Sequence, residues 1–334
     1  MRTRRLLQCV DTHSCGEATR VVLGGIPPVK GATMRDRYAY FQEQLDELRT
    51  SLFQEPRGFE NMLGAFVVSP IQAEADFGVV YAGATQYFEM CGDSTFSVAK
   101  TLVETGMIAT TEPTTRIRLD TYGGIVEVQV SVENGCIGDI TYRSVPAFYL
   151  KTACIQVPGL GEVKIDIAFG GLWYGFVKAQ DVGLDIEPSN MKKVLNVGMD
   201  LLGSVNEQVE VEHPEDPALS GVALITFFDE NPEPGVDYRI ANVYGDNATC
   251  RSPAGTMSAA RAAISHAKQE LETGAQMVIR NGWIGSEHRV RVVDETTVGG
   301  LAAVVPALSA TAHVTGMYNA ILEHDDPYGH GFLL

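Results

Sequence analysis

Apolar residues recur every three to four positions from Ala32 to Leu52, at Met34, Tyr38, Phe41, Leu45, Leu48 and Leu52, and this spacing predicts one amphipathic helix. It closes near Glu55-Pro56-Arg57-Gly58. Ala65 to Val68 and Gly78 to Tyr81 are rich in β-branched and aromatic residues and predict two strands. A second helix should follow Cys91, because Phe96, Val98, Ala99, Leu102 and Val103 share an apolar side and Gly106 ends the run. From Ile117 to Tyr142 apolar and polar residues alternate in short runs, with turns at Gly123-Gly124 and Asn134-Gly135, the pattern of antiparallel sheet. The composition breaks around Ser144-Val145-Pro146, a candidate domain boundary.

The second half repeats the plan. Strands are expected around Ile165 to Lys178, a helix near Asn190 to Val205, strands from Gly221 to Val243, an Ala-rich helix from about Thr256 to Leu271, and strands from Gln276 to Val293. The chain therefore reads as a duplicated α+β unit. Two helix entrances make the duplication concrete. Met90-Cys91-Gly92-Asp93-Ser94-Thr95 and Pro253-Ala254-Gly255-Thr256-Met257-Ser258 each place a small residue before a glycine and then hydroxyl residues, about half a chain apart. Such residues can serve as plain helix caps. They can also build an anion site, since the N–H groups of a first helical turn have no partner in the helix and carry the positive end of its dipole.

A length of 334 residues suits two domains, and 45% hydrophobic with 20% charged residues excludes a disordered or fibrous chain. The net charge of −17, without a basic stripe, argues against nucleic acid and against anionic membrane surfaces. Met1 to Leu7 carries three arginines but leads into Gln8, Cys9 and Asp11 with no apolar segment, so no signal peptide is read, and no stretch is apolar for long enough to span a bilayer. A cytoplasmic protein is expected. The six cysteines, at 9, 15, 91, 136, 154 and 250, form no CxxC pair and no Cys/His cluster at zinc spacing, so free thiols and no metal are expected. The ordinary role of such a cysteine is a small buried apolar residue. Cys91 stands apart because a thiol at a helix entrance has its thiolate stabilised, which should lower its pKa toward neutrality and make it a usable base. Cys9, Cys136 and Cys154 lie in strand-like patterns, whereas Cys15, in a loop-like stretch, stays open.

Several motifs together resemble the proline racemase family, which includes 4-hydroxyproline epimerases and trans-3-hydroxyproline dehydratases. They are Asp11-Thr12-His13 with Gly16-Glu17 and Thr19-Arg20-Val21-Val22, Glu55-Pro56-Arg57-Gly58, Met90-Cys91-Gly92, Phe169-Gly170-Gly171 with Tyr174, Arg251-Ser252-Pro253 with Gly255-Thr256, and Asp326-Pro327 with Gly331-Phe332. The resemblance runs nearly end to end. It implies two similar domains of the diaminopimelate epimerase-like fold, each a curved sheet around a central helix, with the active site between them. The C-terminal tail returns to the first domain, giving 1–145 plus 305–334 and 146–304. It implies no cofactor, a proline-like imino acid as substrate, and two acid/base cysteines, one on each face of Cα. A homodimer is compatible with it.

The chain departs from the family at three positions. Cys91 is kept, but Ala254 replaces the second cysteine, Asp93 the histidine of Cys-Gly-His, and Cys250 the aspartate before Arg-Ser-Pro. In the family the latter two hold the imino nitrogen. Asp93 either supplies the negative charge lost at Cys250 or simply caps its helix; Cys250 is either a neutral wall or a displaced acid. Gly92, Gly255 and Thr256 would offer backbone donors to the carboxylate, and Tyr244 and Leu63 would form the apolar walls. His13 reads as structural, and the other six histidines match no catalytic position. With one base and no opposed thiol, the reading favours a lyase that removes the α-proton and expels a 3-hydroxyl group. The alternatives are a racemase or epimerase in which Cys250 or water returns the proton, and a binding protein without turnover.

Overall fold

The computed structural model describes residues 3–245 and 248–334. The chain divides into two compact units, Met1–Tyr142 with Ala310–Leu334, and Arg143–Ser309. In the first, strand Thr3–Ser14 is antiparallel to both Ala312–Glu323 and Glu17–Gly24. Helices α1 (Met34–Gln44) and α2 (Asp46–Phe53) then cross over to Leu63–Val68, which runs parallel to Glu17–Gly24. Leu63–Val68 pairs with Phe77–Gly83, and helix α3 (Gly92–Glu104) crosses over to the parallel strand Thr114–Thr121. The antiparallel strands Gly124–Glu133 and Cys136–Arg143 follow.

The second unit is built to the same order. Phe148–Val157, Gly161–Phe169 and Trp173–Lys178 form an antiparallel run, and α4 (Met191–Gln208) crosses over to the parallel strand Leu224–Glu233. Val236–Tyr244 returns, α5 (Gly255–Ala267) crosses over to the parallel strand Gln276–Asn281, and Glu287–Val298 and Leu301–Ala310 complete the run. Cys91 and Ala254 thus occupy the same place, the entrance of the second crossover helix.

These two helices are buried almost all round: α3 is covered from Gly92 to Ala99, and α5 from Gly255 to Ser265. A helix can sit inside a curved sheet if its side chains are thin, and here they are mostly Gly, Ala, Ser and Thr. Two of their hydroxyls bond backward onto the cap, Thr95 to the Cys91 carbonyl at 2.8 Å and Ser258 to the Ala254 carbonyl at 2.9 Å. Around α4 a core of Ile165, Val177, Leu201, Phe227 and Val243 closes the second unit.

Many motif residues prove to be scaffold. The Arg20 guanidinium, buried against strand Thr3–Ser14, donates Nε–H to Asp11 Oδ1 at 2.8 Å and Nη2–H to Asp11 Oδ2 at 3.0 Å, and reaches the carbonyls of Leu52 and Arg57. Arg57 in turn pairs with Asp326 at 2.6 Å, while Glu55 and Phe332 exchange both backbone hydrogen bonds. Gly331 lies so close that a Cβ would stand 2.2 Å from the Thr50 carbonyl oxygen. The tail is thereby tied to the first unit by charge, sheet pairing and close packing.

Three expectations change. The helix over 32–52 breaks at Leu45 (φ −128°, ψ 11°), where α2 restarts with Asp46 and Glu47 favourably placed in its first turn and Arg49 held by Asp46 at 2.6 Å. Helix α5 stops at Ala267, not near Leu271, because Gln269 turns into the left-handed region (φ 62°) and Glu270 donates back to the Ser265 carbonyl. Strands Leu301–Ala310 and Ala312–Glu323 were not anticipated: the first is rich in alanine, a weak strand former, and in the second Gly316 interrupts the pattern and Met317 and Tyr318 are apolar but exposed. Among the described residues no helix is long and apolar enough to cross a membrane.

Gly170 shows why a weak-looking Gly-Gly pair matters. A Cβ there would lie 2.2 Å from the Thr256 carbonyl oxygen and 2.5 Å from the Ala260 nitrogen, both rigid backbone of α5. Gly170→Ala should therefore destabilise the protein by about 1–3 kcal/mol in denaturant titrations; an unchanged midpoint would show that α5 can move aside.

Candidate active site

Cys91 is the N-cap of α3, extended at φ −141° and ψ 109°, and its carbonyl accepts both the Thr95 N–H at 3.0 Å and the Thr95 hydroxyl at 2.8 Å. The next residues, Gly92, Asp93 and Ser94, are buried, while Cys91 keeps part of its surface open. The approach to the cap is braced. The Ala84 carbonyl accepts from Gln54 Nε2 at 2.8 Å and from Arg49, and the Ala84 N–H donates to the Met62 carbonyl at 2.9 Å. Leu63 opens its strand opposite Thr19 and Gly83, and is half-buried.

The electrostatics differ from the expectation of a thiolate at rest. Burial, then the negative charge of Asp93, pushes the Cys91 thiol up to about 12, and Glu17 adds to the rise. The hydroxyl and N–H of Ser94 act in the opposite sense, as a helix entrance should, but they are outweighed. Cys9, in strand Thr3–Ser14, is pushed up to about 11 mainly by burial, so removal from water governs both sites. Cys91 is therefore a thiol in the free protein at neutral pH. Glu17, buried in the strand beside α3, belongs to the site through its charge, a role that its place in a motif did not reveal.

In the second unit a loop from Ala248 leads into α5, and side-chain groups hold almost every carbonyl along it. Asn281 Nδ2 donates to the carbonyls of Cys250 and Ser252, both at 3.0 Å, the Ser286 hydroxyl to Arg251 at 2.9 Å, and Asn242 Nδ2 to Pro253 at 3.0 Å. Thr249 donates to the Asn242 carbonyl at 2.6 Å and accepts from Trp283 Nε1 at 2.7 Å. None of these residues stood out in the sequence, although Asn242 and Asn281, polar residues inside apolar strands, were the signal available. Ala254, the cap residue, has φ 65° and ψ 124°, a conformation that a Cβ disfavours, and its N–H donates to Ser252 Oγ at 3.0 Å.

Tyr244, half-buried, ends the strand before this loop and pairs with Ala248. Cys250 is half-buried in the loop. Gly255 and Thr256 are buried in the first turn of α5, and the Thr256 hydroxyl lies 2.7 Å from that of Tyr174. The first unit thus sets Cys91, Gly92 and Asp93 at the entrance of α3, and the second sets Ala254, Gly255 and Thr256 at that of α5 with Cys250 in the loop before it, while Leu63 begins a strand and Tyr244 ends one. His13, whose Nδ1 accepts the Gly16 N–H at 3.3 Å in a hairpin turn, stacks near His313. Among the described residues no group of three His, Cys, Asp or Glu could hold a metal ion.

The family profile described as "Proline racemase" matches residues 9–333. The chain is 39% identical to the 4-hydroxyproline 2-epimerase of Streptosporangium roseum and 36% identical to the proline racemase of Clostridioides difficile, with all of this chain and all of each relative covered. It superposes with a TM-score of 0.93 on a hydroxyproline epimerase from Agrobacterium vitis with bound trans-4-hydroxy-L-proline, at 33% identity over 100% of this chain and 96% of that one.

A thiol pushed up in this way should show in its reactivity. Alkylation of Cys91 by iodoacetamide, followed on the tryptic peptide 58–100 in which it is the sole cysteine, should keep accelerating above pH 9. Asp93→Asn removes a charge that raises the thiol, so it should shift the curve to lower pH and speed alkylation at pH 8. A rate already level by pH 8 in the parent protein would contradict this.

Proposed function

The chain belongs to the proline racemase family, and from that premise we propose that Cys91 removes the α-proton of a proline-like imino acid and that the favoured outcome is elimination of a 3-hydroxyl group. The observation that carries this reading is the inequality of two equivalent positions: the α3 entrance holds a sulfur at Cys91, the α5 entrance a methyl at Ala254. Inversion by two opposed acid/base groups needs a proton donor at both. Elimination needs one base. The Cys91 sulfur takes the proton from Cα, the electron pair forms the Cα–Cβ double bond, and the Cβ–oxygen bond breaks as a water molecule or the Cys250 thiol gives a proton to the departing hydroxyl, which leaves as water. The resulting enamine tautomerises to a cyclic imine.

In this reading the N–H groups of Gly92, Gly255 and Thr256 hold the substrate carboxylate, Asp93 faces the cationic ring nitrogen, and Leu63 and Tyr244 flank the ring. Placing a cation against Asp93 cancels the charge that holds the Cys91 thiol up, so substrate binding itself promotes ionisation of the base. The thiol proton leaves to solvent in that step.

A second reading, racemisation or epimerisation, is favoured by the names of the full-length relatives and by Cys250 at the second entrance. There Cys250 or a water would return the proton to the opposite face.

Incubation in deuterium oxide with proline, 3-hydroxyproline and 4-hydroxyproline, followed by NMR, separates these outcomes. Loss of trans-3-hydroxyproline to a cyclic imine is expected, and Cys91→Ala should lower its rate by about 10²–10⁴-fold. Deuterium at Cα with inversion would favour the second reading. A ligand that raises the melting temperature without exchange or product would overturn both. Ala254→Cys should add measurable Cα inversion to the parent activity, since it restores a proton donor at the second entrance.

A further inference from the structure

We infer that Tyr81 is a positioning residue for Cys91: its hydroxyl, acting through Thr95, fixes the cap backbone and with it the direction of the sulfur. The inference deepens the reading of Cys91 as the base and rests on it. The Tyr81 ring is 1% exposed, and its hydroxyl lies 2.7 Å from Thr95 Oγ1, which lies 2.8 Å from the Cys91 carbonyl oxygen. The direction of this chain is forced. A carbonyl only accepts, so the single Thr95 hydroxyl proton points to Cys91, and Tyr81 must donate to Thr95. Each bond polarises the next, so the phenol strengthens the bond that holds the cap. Burial pushes the Tyr81 hydroxyl far above its ordinary range, which keeps it a neutral donor.

Backward bonding by a hydroxyl is ordinary in this protein and would not alone mark a function. Thr105 does it to Thr101, and at the second entrance the Ser258 hydroxyl bonds the Ala254 carbonyl at 2.9 Å, in the place equivalent to Thr95. There, however, the serine faces His288 Nδ1 at 3.3 Å. The second entrance has a phenol contact of the same length, Tyr174 to Thr256 at 2.7 Å, but only at the entrance that carries the sulfur does the phenol reach the hydroxyl that bonds the cap carbonyl. What it protects is the alignment of Cys91 with Ser94, whose hydroxyl and N–H favour the thiolate. A modest rotation of the cap would swing the sulfur away from these donors.

Tyr81→Phe keeps the ring and deletes the donor. Two readouts are taken on the full-length protein: turnover of trans-3-hydroxyproline, and alkylation of Cys91 by iodoacetamide on the 58–100 peptide, which needs no substrate. We expect kcat to fall about tenfold with KM within about threefold, and alkylation at pH 9 to slow by about threefold or more, with the melting temperature little changed. Thr95→Val should reproduce both effects, Thr95→Ser should restore them, and the Tyr81→Phe/Thr95→Val double variant should be no worse than either single one. If the parent has no turnover, the proposed reaction fails while the alkylation series still decides the role of Tyr81. Parent-like alkylation in both Tyr81→Phe and Thr95→Val, or a loss in Thr95→Ser equal to that in Thr95→Val, would overturn it.

Discussion

Everything chemical in this protein turns on a contest at the mouth of α3. The first helical turn offers unpaired N–H groups and a favourable dipole to any negative charge placed there. Burial and the carboxylates of Asp93 and Glu17 oppose a thiolate on Cys91, and they prevail in the free protein. In the proposed reaction the site rests until a cation arrives. A zwitterionic imino acid brings both partners at once, a carboxylate for helix N–H groups and an ammonium for a buried aspartate. The resting protonation of Cys91 and its proposed use as a base are therefore two states of one electrostatic balance.

The duplicated topology builds the two entrances independently of one another. Both units run hairpin, crossover helix, hairpin, central crossover helix and a final antiparallel run, so each entrance is fixed by its own sheet. In the second unit Asn242, Asn281, Ser286 and Thr249 hold the loop before α5 through backbone carbonyls, and the side chain at the cap contributes nothing to that hold. The frame therefore stands with only the methyl of Ala254 at the cap. The unusual φ of 65° at Ala254 is sustained by the same frame.

Much of this was legible in the sequence, and for identifiable reasons. The central helices and the hairpins at 114–143 carry strong period and turn signals, and Asn134 and Gly135 do adopt the left-handed conformations that such a turn requires (φ 52° and 73°). The fold class, two units of the diaminopimelate epimerase-like kind, followed from motifs spread along the whole chain. The break at Leu45 was invisible because Leu45 continues the apolar stripe and only its backbone departs from the helix. The thiol's pKa was misjudged because a helix entrance can be recognised from glycine and hydroxyl residues, whereas desolvation depends on strands far away in sequence. The bracing asparagines and Tyr81 were missed for a related reason: their partners are backbone carbonyls and a hydroxyl that only the folded chain brings near.

The central claim, that the Cys91 sulfur addresses the carbon bearing the carboxylate, is tested most directly by a crystal structure with pyrrole-2-carboxylate, a planar ring with a flat carbon at that position. The account predicts the sulfur within about 3–3.5 Å of that ring carbon, with the carboxylate on the N–H groups of the α3 entrance. A ring bound with its carboxylate elsewhere, or with the sulfur turned away from that carbon, would contradict it.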